Sequence, residues 1–209
     1  MLEFVASYVC HQLPERTLTI DGYLLPLCAR CTGIYSGFLI GVLFQMTARE
    51  KPNRLPSIRI TSVCILFILA LITQAAGEVM GLWELPGQAR FFLGLLCGSA
   101  LSAGLFPIFN YFLQKEGKDG WAIGPENFVV LLGLLSLFFC LHYISASLLI
   151  LSFISIAGIL VCYIAVNITI AGMLLNWKKR VSNLRNTLAM IGMVLALFLG
   201  EAAILSLID

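Results

Sequence analysis

Charge is what this chain has least of: only 11% of its 209 residues are charged, against about 25% in soluble domains. With 60% hydrophobic residues and a mean hydropathy of +0.97, that shortage excludes an ordinary water-soluble globule. The formal net charge of +2 is too small for a nucleic-acid binder, so no such partner is expected. Histidine is also scarce, with His11 and His142 the only two. No HExxH spacing, phosphate-cradling loop or nucleophile triad occurs, so no catalytic residue is assigned and enzymatic activity stays an open question. Met1-Leu2-Glu3-Phe4 offers neither a basic segment nor a small-residue cleavage site. No removable signal peptide is expected there, and the first span serves as its own insertion signal. Repeats, low-complexity tracts and linkers are lacking as well, so residues 1–209 read as a single domain.

Apolar runs fill the rest. A helix needs about 20 apolar residues to cross the hydrocarbon layer. Six such segments are expected, near 29–47, 58–82, 88–113, 127–144, 147–175 and 185–207. The fold class is therefore all-α, a polytopic bundle of about six transmembrane helices, with a turn near Ser145-Ala146-Ser147 separating the fourth from the fifth. Alternate loops hold Arg49, Lys51, Arg54 and Arg59, then Lys115 and Lys118, then Lys178, Lys179, Arg180 and Arg185. These face the cytoplasm by the positive-inside rule, which puts both termini and residues 1–28 on the extracytoplasmic side. The expected location is an inner or plasma membrane, multi-pass, with the lipid bilayer as the principal partner. Small residues four apart, Gly33-Gly37-Gly41, Gly94-Gly98-Ser102 and Gly192-Ala196-Gly200, read as helix packing seams. A homo-oligomer stays open. Trp83, Trp121 and Trp177 fall at span ends and read as interfacial anchors.

Four of the seven cysteines, Cys64, Cys97, Cys140 and Cys162, lie inside apolar runs, where a thiol behaves as a small hydrophobe. The other three, Cys10, Cys28 and Cys31, flank a polar stretch. Cys28-Ala29-Arg30-Cys31 has the spacing of thiol redox motifs and of metal knuckles alike. Cys10-His11, with seventeen residues between Cys10 and Cys28, tilts the reading toward a Cys₃His site for Zn²⁺ or another thiophilic ion. Adjacent residues seldom both ligate one ion, so Cys10 or His11 can stand behind the ligands, with His142 or a carboxylate completing the set. Two alternatives remain: a redox-active Cys28-Cys31 dithiol in a membrane thiol-disulfide oxidoreductase, and a structural disulfide in an oxidising compartment. A metal-assisted hydrolase with Glu78 as base ranks behind these, because four ligands close the coordination sphere.

Polar residues within the spans map to the same depth as the cysteines. Gln74 and Glu78 share one helical face, Arg90 opens the third span, His142 closes the fourth, Glu201 lies in the outer part of the sixth and Arg30 heads the first. Charged groups inside a membrane face a partner or a wet cavity. The expectation is a polar vestibule floored by Glu78 and Arg90 and lidded by the Cys-His segment, open to a metal ion or small polar ligand. The plainer alternative pairs Arg90 with Glu78 across the short loop Leu82 to Gln88 and lets Glu201 snorkel. Asn167, deeper in the fifth span, has no obvious partner at its level.

The run Cys10-His11-Gln12, Pro14, Arg16, Gly22, Leu25-Pro26, Cys28-Ala29-Arg30-Cys31-Thr32-Gly33, Tyr35 and Gly37 resembles the signature of a widespread prokaryotic family of small uncharacterised membrane proteins, catalogued as a domain of unknown function. Gln74, Arg90 and Gly94 resemble a second motif of that family. This chain departs from it at Ala70, where the family has Asp, and at Gly87, where it has Asn. The resemblance covers about the first half of the chain, does not extend past Asn110, and implies no activity. The function expected on these grounds is metal handling or a transport-accessory role.

Overall fold

The computed structural model describes residues 10, 14–20, 22–47, 55–113, 124–144 and 147–174. A single 3₁₀ turn, Pro14–Arg16, leads into a hairpin of β1 (Thr17–Ile20) and β2 (Tyr23–Cys28). Five helices follow: α1 (Ala29–Thr47), α2 (Ile58–Val79), α3 (Gly87–Leu113), α4 (Pro125–Ile144) and α5 (Leu148–Leu174). The break between α4 and α5 falls at the serine-flanked turn expected from the sequence. The sixth expected span, 185–207, lies outside the described residues.

The hairpin is the element the sequence reading missed. Its register pairs Ile20 with Tyr23 and Thr19 with Leu24, leaving Asp21-Gly22 as a two-residue connection. Gly22 takes φ +82, which glycine adopts without a Cβ penalty. Leu18, Ile20, Leu25 and Leu27 turn inward, so this small sheet is seated on the bundle by its apolar side chains. The register shifts between Thr17 and Thr19, so that Thr17 pairs with Cys28, the last residue of β2.

Among the described residues, four helices are long and apolar enough to cross a membrane: Ile58–Val79, Gly87–Asn110, Pro125–Tyr143 and Leu148–Ala171. Helix α1 falls outside that set, unlike the expected span 29–47, because Arg30, Thr32, Ser36 and Gln45 dilute its apolar content. Its polar positions are buried: Thr32, Ser36 and Gln45 are shut against neighbouring helices.

The core forms around α1 and α3. A Cβ at Gly33 would fall on the Phe91 carbonyl oxygen, one at Gly37 on that of Leu95, and one at Gly98 on that of Ile34. Such contacts need backbones close enough to exclude any side chain, so the seams in the first and third expected spans face each other. Their third counterpart, Gly192-Ala196-Gly200, lies outside the described residues. Burial ranks the helices accordingly: 61% of the α3 membrane window is buried, against 22% for α2 and for α4. Ile65, Leu66, Leu69 and Ile72 of α2 are left exposed, the surface an apolar solvent would wet.

Candidate metal centre and its ion-pair knot

Strand β2 runs into α1 without a linker, so Cys28 closes the strand and Cys31 lies in the first helical turn. The Thr32 hydroxyl donates to the Leu27 carbonyl at 3.3 Å and tightens this junction. Cys10 reaches the same place from the chain ahead of the hairpin. The Cys28 amide donates to Cys10 Sγ at 3.4 Å, and the sulfurs of Cys10, Cys28 and Cys31 all lie within 4.8 Å of one another. None of the seven cysteines is joined in a disulfide.

Three thiolates each about 2.3 Å from a tetrahedral ion stand about 3.8 Å apart, so the sulfurs need to close by at most about an ångström. Leu27 and Ile159 are buried beside them, with Tyr35 and Tyr163 packed around. Two of these four come from α5, whose Gly158 lets it approach the Tyr35 backbone. That contribution lies far from the cysteine motif in sequence and has no short-range signal. Cys10 next to Cys28 raises the Cys28 thiol above the usual cysteine range, and burial adds to the rise while Cys31 opposes it. His11 lies outside the described residues. His142 is buried at the same end of the bundle, but its ring rests on Phe91, centroids 4.9 Å apart. Among the described residues no histidine or carboxylate joins the three sulfurs.

Beside this centre the intramembrane charges meet directly. Glu78, on the last turns of α2, receives the Arg30 guanidinium of α1 and the Gln74 amide one turn back on its own helix. It also accepts from Arg90 Nε of α3 at 2.8 Å and from the Leu85 amide at 3.4 Å. The end of α2 makes this possible: Gly81 takes φ +68 and the Leu82 amide returns to the Gly77 carbonyl at 2.9 Å, turning the chain back over Glu78. Trp83, expected as an interfacial anchor, lies over Gly77, where a Cβ would collide with its ring. The Glu78 side chain is 2% exposed, Arg90 10% and Arg30 18%. Four of the residues expected around a vestibule, Arg30, Gln74, Glu78 and Arg90, thus bond to each other. The pairing of Arg90 with Glu78 across the short loop is present, and Arg30 is a second partner that spacing did not suggest. Glu201 lies outside the described residues.

A membrane-type helix bundle with three thiols gathered at one end, next to buried paired charges, is the class of protein these observations define. Residues 10–103 match the family described as "Predicted membrane protein (DUF2085)", a range holding all three thiols, Arg30, Gln74, Glu78 and Arg90. An "Uncharacterized protein MJ1492" of Methanocaldococcus jannaschii is 33% identical over 115 residues, 54% of this chain and 72% of that one. An "Uncharacterized protein" of Methanothermobacter thermautotrophicus is 32% identical over 95 residues, 46% of this chain and 82% of its own length. The chain belongs to this membrane-protein family. No solved structure matches it.

Proposed function

We propose that the protein handles a thiophilic metal ion, zinc-like in its ligand preference, bound by Cys10, Cys28 and Cys31 at the extracytoplasmic face of a multi-pass inner or plasma membrane protein. The observation that carries the reading is the meeting of three sulfurs from two separate chain segments within 4.8 Å. Soft thiolates select zinc, copper(I) or iron over magnesium and calcium. His11, one residue from Cys10, is the nearest candidate in sequence for a fourth ligand. A fourth position filled by an exchangeable group suits an ion that is handed on, in uptake or in an accessory step of transport. The test is metal content of the anaerobically purified full chain, wild type against Cys28→Ser with Cys31→Ser. About one ion per wild-type chain, absent from the double variant, is expected. A wild type without stoichiometric metal rejects the reading.

The second reading, a membrane thiol-disulfide oxidoreductase, draws on the Cys28-Ala29-Arg30-Cys31 spacing and on three thiols in reach of one another and outside any disulfide. An exchanging thiol works as its thiolate, and reactive cysteines carry depressed pKa values. Cys28 is displaced the other way. The metal-free chain is therefore expected to alkylate at Cys28 more slowly than free cysteine at pH 7, with the rate climbing as pH rises. Fast, selective alkylation at neutral pH would favour the redox reading instead.

A further inference from the structure

Among the described residues, two guanidiniums against one carboxylate leave the Arg30–Glu78–Arg90 knot with one surplus positive charge, largely withdrawn from solvent beside the three-thiol centre. Burying unbalanced charge is costly and needs a counter-charge nearby. Arg30 Nε is in addition a buried donor without an acceptor. Arg30 is also one of the two residues between Cys28 and Cys31, so the knot and two of the thiols share one short stretch of chain. When a divalent ion binds three thiols and their three protons leave to solvent, the centre takes a charge of minus one.

Resting on the metal reading above, we infer that this knot is the electrostatic complement of the metal centre: its single surplus charge balances the minus one of a divalent ion on three thiolates and strengthens the binding of that ion. Arg90 then acts as a positioning and charge-setting residue that touches no ligand atom. It holds Glu78 so that Arg30 keeps its place, and it supplies the charge that survives the pairing.

The experiment uses the full chain in detergent, with Zn²⁺ as probe and a chelator in competition. Four proteins are compared: wild type, Arg90→Gln, Arg90→Lys, and the double variant Glu78→Gln with Arg90→Gln. Arg90→Gln neutralises the knot, and removing a unit charge roughly 10 Å from a site at an effective dielectric of about 20 weakens binding about tenfold or more. Arg90→Lys keeps the charge, and the double variant restores the surplus of one through Arg30 alone, so both stay within about threefold of wild type. A purely structural knot predicts the opposite ranking, with the double variant weakest. Zn²⁺ affinity unchanged in Arg90→Gln, or lower in the double variant than in the single one, overturns the inference while leaving the metal centre standing. Should Arg90→Gln fail to fold, the double variant decides alone: affinity near wild type supports the inference, and a tenfold fall overturns it. Absence of Zn²⁺ from the wild type is a separate outcome that removes the metal reading itself.

Discussion

The two ends of the bundle treat polarity differently. At the hairpin end, Arg30, Gln74, Glu78 and Arg90 meet in one knot beside three thiols. At the other end, uncharged groups sit singly: Gln45 donates to the Gly41 carbonyl at 3.1 Å and to Ser102 at 3.4 Å, and its Oε1 finds no partner. Asn167 Oδ1, on α5, is likewise unpartnered although the residue is 1% exposed. A cavity of about 440 Å³ lies there, lined by Phe38, Val42, Gln45, Phe106 and Asn110 among others. Buried charges are gathered at the end that holds the three thiols, and the distant end is assembled from shape and weak hydrogen bonds.

The sharpest way to break this contrast is Glu78→Ala. It leaves two buried guanidiniums without their carboxylate, and unfolding of the full chain in mixed micelles should show a loss of about 3–5 kcal/mol. A loss under about 1 kcal/mol would mean that the knot is solvated and that the two ends do not differ as described. Next comes the α1–α3 seam, which runs between the ends. Gly98→Val puts side-chain atoms onto the Ile34 carbonyl and should cost about 1–3 kcal/mol, read by the same unfolding measurement. Retained stability there would show that the helices separate easily. The smallest effect is expected at Gln45→Met, which removes a half-satisfied amide in favour of an apolar chain of similar length. Stability should stay within about 1 kcal/mol of wild type, whereas a loss as large as that of Glu78→Ala would mark a second polar site at the far end.

Helix positions were legible because their apolar runs are long, and α1, α3 and α5 fall within a residue or so of the expected spans. Gly33-Gly37 and Gly94-Gly98 were legible as packing seams from small residues at helical spacing, whereas their facing each other is seen only in the structure. The hairpin has a short-range signal in Asp21-Gly22 between Thr17–Ile20 and Tyr23–Cys28, which apolar-run counting does not weigh. Gln74 with Glu78 could be read from the i,i+4 rule, and Arg90 from a short connection. Arg30 could not, since 48 residues separate it from Glu78 and only the α1–α3–α2 packing brings them together. His142 shared the right depth but not the right direction: its place on α4 turns the ring onto Phe91. Depth along a helix is set by sequence number, whereas azimuth depends on neighbours that a single chain of letters does not reveal.

X-ray absorption at the zinc edge of the Zn²⁺-loaded full chain measures the proposed ligands themselves. The account predicts three sulfur neighbours at about 2.3 Å and one lighter atom near 2.0 Å. A first shell made only of nitrogen and oxygen, or one unchanged when Cys28 and Cys31 are replaced by serine, would contradict it.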